Sequence, residues 1–373
     1  MKILFPIGSF YPAQVGGPSN TIFWLSEELS KDKKYDVSVI TTDQGLENFP
    51  KIELNKQINY GELNVLYTKN KNYNFPINML LIIAKSVKKN DVLILNSIFY
   101  IPSLYTAILG VIYNKKIIWS VRGELEEAAL KYKSFIKWLW LLVFKILPKK
   151  NIIFHATSQS EVYNIKKLTS SKEVFFAPNY LKIPKRLNLK KEELFLFVGR
   201  LHSIKALDKI IKGFKESKLF KTSNYHFLIA GEEFEKDYKI KIQELIESLE
   251  LSSKVTFLGL ITGKEKNKIY SKAKFSLLLS NSENFGNVVI ESLSQGTPVL
   301  ASIYTPWQVL EKYNAGFQID NNKFEIAKYI DKLILLNEKE YKVMSENSIQ
   351  LVNNKFNITT KIASWKEIIN QLK

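Results

Sequence analysis

Two glutamates and a glycine-bearing loop lie in one stretch of the chain, residues 280–302. Glu283 follows an apolar segment of β character, and Glu291 lies in a short predicted helix that Gly286 opens. Such a loop offers unpaired backbone N–H groups and the positive end of a helix dipole, which together favour an anion such as phosphate. A carboxylate about a turn further on can take paired hydroxyls, such as a ribose diol. The other carboxylate suits the hydroxyls of whatever the phosphate carries, so one sugar nucleotide would satisfy the stretch.

A pair of basic side chains follows another predicted strand, residues 194–198. Gly199 and Arg200 come directly after it, and Lys205 lies five residues beyond the arginine. The guanidinium can contact two phosphate oxygens as a fork, while the ammonium supplies a mobile point charge. Both would stabilise the charge that develops on a diphosphate leaving group as a sugar–phosphate bond breaks.

Several kinds of chemistry are disfavoured by composition. The chain has no cysteine, which excludes disulfides, thiolate metal sites and cysteine nucleophiles. It shows no Asp-x-Asp signature and no histidine cluster with ligand spacing, so we expect neither a metal nor any other cofactor. It also lacks the G-x-G-x-x-G fingerprint, which disfavours the usual hydride-transfer enzymes.

The length of 373 residues is that of two α/β domains rather than one. Predicted strands alternate with helical segments, which indicates doubly wound parallel sheets that bind ligands at their C-terminal strand ends. The predicted strands are 2–7, 37–43, 91–96, 116–121, 151–158 and 174–181 in the first half, then 194–198, 226–231, 255–260 and 275–279. The lysine- and proline-rich stretch 182–193 is the predicted domain boundary.

Two features of the first half also follow predicted strands. Gly16 and Gly17 allow positive φ and close approach of backbone to a ligand, or form a plain strand–helix turn. Arg122 follows the strand 116–121, where it is either a donor to phosphate or a sugar oxygen, or an ordinary surface arginine.

The net charge of +18 has three interpretations: nucleic-acid binding, an anionic membrane surface, or a lysine-rich solvated surface. No nucleic-acid motif or dense arginine cluster is present, so nucleic acid is not expected as a partner. Residues 131–150 combine tryptophans and leucines with flanking lysines, and their uninterrupted apolar run is too short for a membrane span. They predict either an interfacial helix or a buried helix of the first domain. The N-terminus predicts a first strand rather than a signal peptide.

The sequence V-G-R-L with Lys205, followed by S-E-N-F-G-N-V-V-I-E and G-T-P-V, resembles the retaining glycosyltransferases of family 4. This resemblance implies the GT-B fold, in which two Rossmann-like doubly wound domains face each other across a cleft. It implies an acceptor-binding domain formed by residues 1–182 with a crossover helix at 355–373, and a nucleotide-sugar-binding domain at 183–354. The stretches SVRGELEEAAL and FHATSQSE resemble the branch that builds bacterial surface polysaccharides.

The resemblance also implies roles for individual residues. Arg200 and Lys205 would hold the donor diphosphate, Glu291 the ribose hydroxyls, and Glu283 the transferred sugar. Other positions would contribute mainly through their backbone: Gly16, Gly17, Gly199, Gly259, Leu260, Phe285, Gly286 and Asn287.

Some positions depart from the family pattern. Ala206 replaces a common glycine, and Ser292 replaces a common alanine. Many members carry a histidine beside the sugar in the first domain, where this chain has Arg122. Whether Arg122 takes that role stays open, with His155 and His202 as alternatives.

The expected protein is a cytoplasmic, metal-independent, retaining hexosyltransferase, with a peripheral position on the inner membrane face as a further option. It would move a hexose or N-acetylhexosamine from a nucleoside-diphosphate sugar, UDP before GDP, to a glycan or lipid-linked glycan. Three alternatives are a sugar-nucleotide epimerase of the same fold, a basic nucleic-acid-binding protein, and a catalytically silent partner subunit.

Overall fold

The computed structural model describes residues 1–13, 17–47, 49–131, 134–147, 150–171, 173–235 and 237–371. The chain divides into two compact units, each with its own parallel sheet. The first unit comprises Met1–Lys182 and Ile358–Lys373, and the second comprises Ile183–Asn357.

The first unit is built on an eight-stranded sheet in the order β3-β4-β2-β1-β5-β6-β7-β8. Its strands are β1 (Lys2–Ile7), β2 (Asp36–Thr42), β3 (Gln57–Tyr60), β4 (Leu63–Thr68), β5 (Val92–Asn96), β6 (Lys116–Ser120), β7 (Ile152–Ala156) and β8 (Val174–Phe176). All neighbours run parallel except β3 and β4, which form an antiparallel hairpin. Sequence analysis does not predict this hairpin, because its polar first strand, QINY, lacks the apolar pattern of a buried strand.

Helices cover both faces of this sheet. They are α1 (Gly17–Ser30), α2 (Ile77–Val87), α3 (Ile101–Ile112), α4 (Glu127–Lys131), α5 (Ser134–Ile146) and α6 (Gln159–Thr169). One buried cluster packs α1 against the sheet. A second cluster packs α2, α3 and α5 against it, with Trp119 and Phe144 in contact at its centre. The parallel strands are apolar on both faces for this reason.

The second unit has a six-stranded, fully parallel sheet in the order β11-β10-β9-β12-β13-β14. Its strands are β9 (Glu192–Val198), β10 (His226–Ala230), β11 (Val255–Gly259), β12 (Ala273–Leu278), β13 (Val299–Ser302) and β14 (Gly316–Ile319). The order reverses direction between β9 and β12, which pair directly. Such a reversal leaves an opening at the C-terminal strand ends, where ligands bind.

The helices of this unit follow the apolar periodicity of the sequence. They are α7 (Leu207–Glu216), α8 (Tyr238–Ser248), α9 (Gly263–Lys272), α10 (Asn287–Ser294), α11 (Val309–Lys312), α12 (Lys323–Ile334) and α13 (Glu338–Lys355). Leu207, Ile210 and Phe214 form one buried face of α7. Asn337 and Glu340 form a reciprocal capping box that begins α13, a helix that sequence analysis does not predict.

The last helix, α14 (Ile358–Gln371), belongs to the first unit. Its predicted apolar residues Ile358, Ile362, Trp365 and Ile369 are buried in the cluster that also holds α1. None of the helices within the described residues is both long and apolar enough to cross a membrane.

Candidate functional site

The loops after β9 and β12 lie side by side, because those two strands pair at the centre of the second sheet. The backbone N–H of Asn281 in the second loop donates to the carbonyl of Ile204 in the first, at 2.8 Å. The ammonium of Lys209, on α7, contacts the side-chain oxygens of Asn281 and Asn321 at 2.8 and 2.9 Å. The two predicted site loops are therefore tied together by backbone and side chains.

Lys205 and Glu283 form an ion pair between these loops. Both side chains are mostly buried, and the ammonium donates to Oε2 of the carboxylate. The chain turns tightly here, since His202 caps a 3-10 turn over Ser203–Lys205 and Ala206 adopts φ +54°. That left-handed backbone explains why the family commonly has a glycine at this position.

Gly286 begins α10 with φ +80°. The residue before it, Phe285, is buried against the ring of Trp307, whose indole N–H donates to the Phe285 carbonyl. This contact holds the backbone of the loop that precedes α10. The first N–H groups of a helix have no partner within the helix, so the predicted anion site at Phe285, Gly286 and Asn287 has the required backbone form.

Glu291, on α10, forms an ion pair with Lys266 on α9, with 2.8 Å between Nζ and Oε1. Lys266 was not predicted to be a site residue, because one more lysine in a lysine-rich helix is not distinctive. Its location in the fold is informative, because α9 follows Gly259 and Leu260, the two residues predicted to contact the base. Leu260 is exposed, and the space beside Gly259, where φ is +69°, is open.

Arg200 is exposed, and its guanidinium carbon lies 4.5 Å from the ring centre of Phe234. Arg200 therefore lies against an aromatic ring, whereas Lys205, the other predicted phosphate-binding cation, is paired with the carboxylate of Glu283. Gly199 is held next to Gly231, since a Cβ at Gly231 would lie 1.7 Å from the Gly199 carbonyl oxygen. Only a glycine at position 231 permits this approach of the two strand-end loops.

In the first unit, Arg122 adopts φ +59° at the end of β6. Its guanidinium donates to the side-chain oxygens of Asn96 and Asn179. Burial lowers the pKa of Arg122 to about 10, partly offset by the charge of Glu161, so the guanidinium stays protonated at neutral pH. Arg122 is therefore a half-buried, fixed cation rather than a loose surface side chain.

Two carboxylates, the buried Glu161 and the partly buried Glu124, organise the loops around Arg122. Glu161 accepts hydrogen bonds from the backbone N–H groups of Gly123 and Thr157 and from the Thr157 hydroxyl. Burial raises the pKa of Glu161, while these donors oppose that shift. Glu124 accepts in the same way from Ser97 and from the backbone of Ile98 and Phe99. Ser158 caps α6, because its side chain accepts a hydrogen bond from the backbone N–H of Glu161.

Both histidine alternatives contact other groups of the protein. His155 is 2% exposed, with Nδ1 against the Ser120 hydroxyl and Nε2 against the Ala177 carbonyl. Burial, with a contribution from Arg122, lowers the pKa of His155 to about 3, so the ring is neutral at physiological pH. His202 accepts from the backbone N–H of Ile204 and lies 3.2 Å from Glu235.

Of the predicted glycine pair, Gly16 lies outside the described residues, and Gly17 is the first residue of α1. Across the residues that the structure describes, no group of three or more acidic or histidine side chains is arranged to hold a metal ion.

Solved structures with the same fold are glycosyltransferases of the GT-B class. Anabaena Alr3699/HepE, solved with UDP and glucose, superposes with a TM-score of 0.78 at 16% identity, covering 100% of both chains. Sucrose-phosphate synthase from Thermosynechococcus elongatus gives 0.79 at 17% identity, covering 100% of this chain and 98% of that one. The predicted fold of two Rossmann-like domains is therefore confirmed.

Residues 179–351 match the family described as "Glycosyl transferases group 1". The chain therefore carries a glycosyltransferase domain of this family, which confirms the resemblance drawn from the motifs. That segment contains Arg200, Lys205, Glu283 and Glu291.

Curated relatives align over part of the chain. An uncharacterized glycosyltransferase (MJ1607) of Methanocaldococcus jannaschii is 34% identical over 111 residues, covering 30% of this chain and 27% of that protein. The O-antigen chain mannosyltransferase RfbU of Salmonella typhimurium is 34% identical over 112 residues, covering 30% of each. A Campylobacter jejuni "GalNAc-alpha-(1->4)-GalNAc-alpha-(1->3)-diNAcBac-PP-undecaprenol alpha-1,4-N-acetyl-D-galactosaminyltransferase" is 28% identical over 190 residues, covering 50% of each. The chain thus spans half or less of the length of each of these relatives.

Proposed function

We propose that this protein is a retaining, metal-independent glycosyltransferase. It moves a hexose or N-acetylhexosamine from a nucleoside-diphosphate sugar, with UDP the first choice and GDP the next, to a hydroxyl of a glycan. The glycan is a surface polysaccharide or its lipid-linked precursor. The observation that carries the proposal is the Lys205–Glu283 ion pair between the loops after β9 and β12 of the group 1 domain, with Glu291 on α10, the helix that follows the second of these loops. A structural neighbour solved with UDP and two relatives named as glycan-building transferases support the donor and acceptor classes.

The charges suit departure of a diphosphate without a metal. Lys205 exchanges its carboxylate partner for the donor diphosphate, and its ammonium stabilises the negative charge that appears as the sugar–phosphate bond breaks. Glu283, released by that exchange, accepts hydrogen bonds from hydroxyls of the transferred sugar. Arg200, whose guanidinium lies on the Phe234 ring, is the second cation proposed to contact the diphosphate.

A front-face route accounts for retention. The acceptor hydroxyl attacks the anomeric carbon from the side on which the diphosphate leaves, and its proton passes to the departing phosphate oxygen. Glu283 then serves the sugar's hydroxyls and does not act as a nucleophile. Arg122, held by Asn96 and Asn179, provides a fixed cation at the strand ends of the first unit, where the acceptor domain is expected.

The first test combines Lys205→Ala and Glu291→Ala with a matched variant, Lys212→Ala, which removes an exposed lysine from α7. Thermal shifts with UDP, GDP and ADP identify the base, and the corresponding labelled sugars then give the product. We expect transfer to be lost in the two site variants and kept in the control, with folding intact in all three. Full activity of both site variants, or conversion of the labelled sugar without an acceptor, as an epimerase would give, contradicts the proposal.

We further propose that the acceptor is presented at the inner face of an anionic membrane, which the protein meets through α5. This helix buries Phe144 but leaves Phe135 70% and Trp138 55% exposed, together with Ile136 and Leu139. Exposed aromatic and aliphatic side chains on a protein of net charge +18 match an interfacial helix on anionic lipid. The flanking lysines at positions 133 and 149 lie outside the described residues.

Co-sedimentation with vesicles of anionic and of neutral lipid tests this docking. The double variant Phe135→Ser/Trp138→Ser should lose binding to anionic vesicles. A matched variant, Leu335→Ser, removes an apolar side chain that is 72% exposed in the second unit and should bind as the wild type does. Absence of wild-type binding at low salt would refute the membrane proposal without affecting the transfer proposal.

A further inference from the structure

The ion pair of Lys266 and Glu291 is unlike an ordinary surface pair. Both side chains are mostly enclosed, with 20% of Lys266 and 14% of Glu291 exposed. The remaining carboxylate oxygen, Oε2, is buried and has no hydrogen-bond partner within the described residues. A buried pair that serves only to hold two helices together is expected to satisfy its remaining polar atoms. This one leaves an acceptor unused at the predicted ribose site.

The burial of Oε2 determines how a ligand can reach Glu291. Because Oε2 is covered, the exposed part of the side chain lies on Oε1 and the methylene groups. Oε1 is the atom that Lys266 holds, at 2.8 Å. A hydroxyl that donates to Glu291 at Oε1 therefore arrives within reach of the Lys266 ammonium.

We propose that Lys266 is a donor-binding residue that reads the ribose diol together with Glu291. This inference rests on the proposed use of a nucleoside-diphosphate donor. A carboxylate only accepts hydrogen bonds and an ammonium only donates them, whereas a hydroxyl does both. A ribose hydroxyl inserted between the two groups donates to Glu291 and accepts from Lys266, so it replaces the ion pair without leaving either charge unpaired.

The position of Lys266 along the chain supports this role. It lies in the first turns of α9, which follows the exposed loop at Gly259 and Leu260 predicted to meet the base. A ribose bound between α9 and α10 would sit between that base loop and the diphosphate site at Lys205. Lys266 thus adds a side-chain contact to a part of the donor site that the motifs assign to Glu291 alone.

Isothermal titration calorimetry with a ribonucleotide and its 2′-deoxy counterpart measures how much the 2′-hydroxyl of the ribose contributes to binding. Among UDP, GDP and ADP, the diphosphate that binds the wild type most tightly is compared with its 2′-deoxy form. Lys266→Met should weaken binding of the ribonucleotide about tenfold, the effect of losing one hydrogen bond to a charged group, and should reduce the preference for it. Lys266→Arg should keep most of that preference. Lys268→Met, which changes an exposed lysine of the same helix, should behave as the wild type.

The Glu291→Gln background separates a direct contact from an effect transmitted through the glutamate. A direct contact predicts that Lys266→Met still lowers ribonucleotide affinity in that background. No further loss there, or an unchanged ribose preference in Lys266→Met, overturns the inference while leaving the proposed function intact. If the wild type binds no nucleoside diphosphate at all, the proposed function fails and this inference fails with it.

Discussion

Replacing Gly286 by alanine tests how the loop before α10 holds the predicted donor site. The glycine has φ +80°, and a methyl group at this position would lie 2.7 Å from Cδ2 of Leu278 and 3.2 Å from Cγ of Glu283. The substitution therefore strains the backbone, pushes against a buried strand residue and displaces the carboxylate that pairs with Lys205.

The expected loss of stability has two parts. A left-handed backbone costs an alanine about 1–2 kcal/mol, and overpacking a well-filled site costs about 1–3 kcal/mol. Gly263→Ala separates them, because Gly263 also has a positive φ, +53°, yet nothing lies within 4 Å of its added methyl group. The control should lose only the backbone part, so Gly286→Ala should be less stable than Gly263→Ala by the overpacking part.

Urea unfolding followed by fluorescence suits this comparison, since Trp307 is the only tryptophan between positions 183 and 357 and contacts Phe285. Nucleoside-diphosphate affinity, measured on the folded variants, should also fall in Gly286→Ala as Glu283 moves. Equal stability losses in the two variants would show that Leu278 and Glu283 do not resist the methyl group, and the packing argument would be wrong.

Three further predictions concern buried polar groups. Glu161→Gln should destabilise the first unit by about 1–3 kcal/mol, because the amide N–H₂ cannot accept hydrogen bonds from Gly123 or Thr157. In urea titrations the control Ser160→Ala, at an exposed position, should lose about 1 kcal/mol or less. Equal losses of stability in the two variants would contradict this prediction. His155 has a folded pKa of about 3, below its usual value of about 6.5, so the unfolded chain binds its proton first and stability is lost as pH falls from about 6.5 towards 3. Unfolding at a series of pH values should show the wild type losing about 1.4 kcal/mol per pH unit relative to His155→Gln across this window; parallel curves would rule out a buried neutral imidazole. Lys191→Met should lower the stability of the second unit by about 1–3 kcal/mol. The ammonium that it removes donates to the carbonyls of residues 270, 273 and 295 and to the hydroxyl of residue 297. An unchanged midpoint of thermal unfolding would show that those acceptors need no partner.

The alternation of apolar strands with amphipathic helices was sufficient to predict the fold class. Buried parallel strands and one-sided helices leave strong, local periodicities, as α7 shows with its single buried face. The hairpin of β3 and β4 and the helix α13 were missed, because QINY is largely polar and α13 carries many charged residues. The local signal that α13 does carry is its capping box, Asn337 with Glu340.

The predicted site residues illustrate a second difference between sequence and structure. The residue types of Lys205, Glu283 and Glu291, with their spacing, indicate a phosphate and a diol. They do not show that Lys205 is paired with Glu283, since those residues are brought together only by the pairing of β9 with β12. The stacking of Arg200 on Phe234 likewise depends on a loop that no motif describes.

The sequence by itself determined the class of this protein, because strand and helix periodicity and the short motifs after strands are local properties of the chain. Only the tertiary structure decided which charges meet. Lys266 on α9 reaches Glu291 on α10, and Glu161 on α6 holds the backbone of Gly123, which lies 38 residues earlier in the chain. The packing of strands and helices determines these pairs, and the type and position of a single lysine or glutamate in the linear sequence do not indicate its partner.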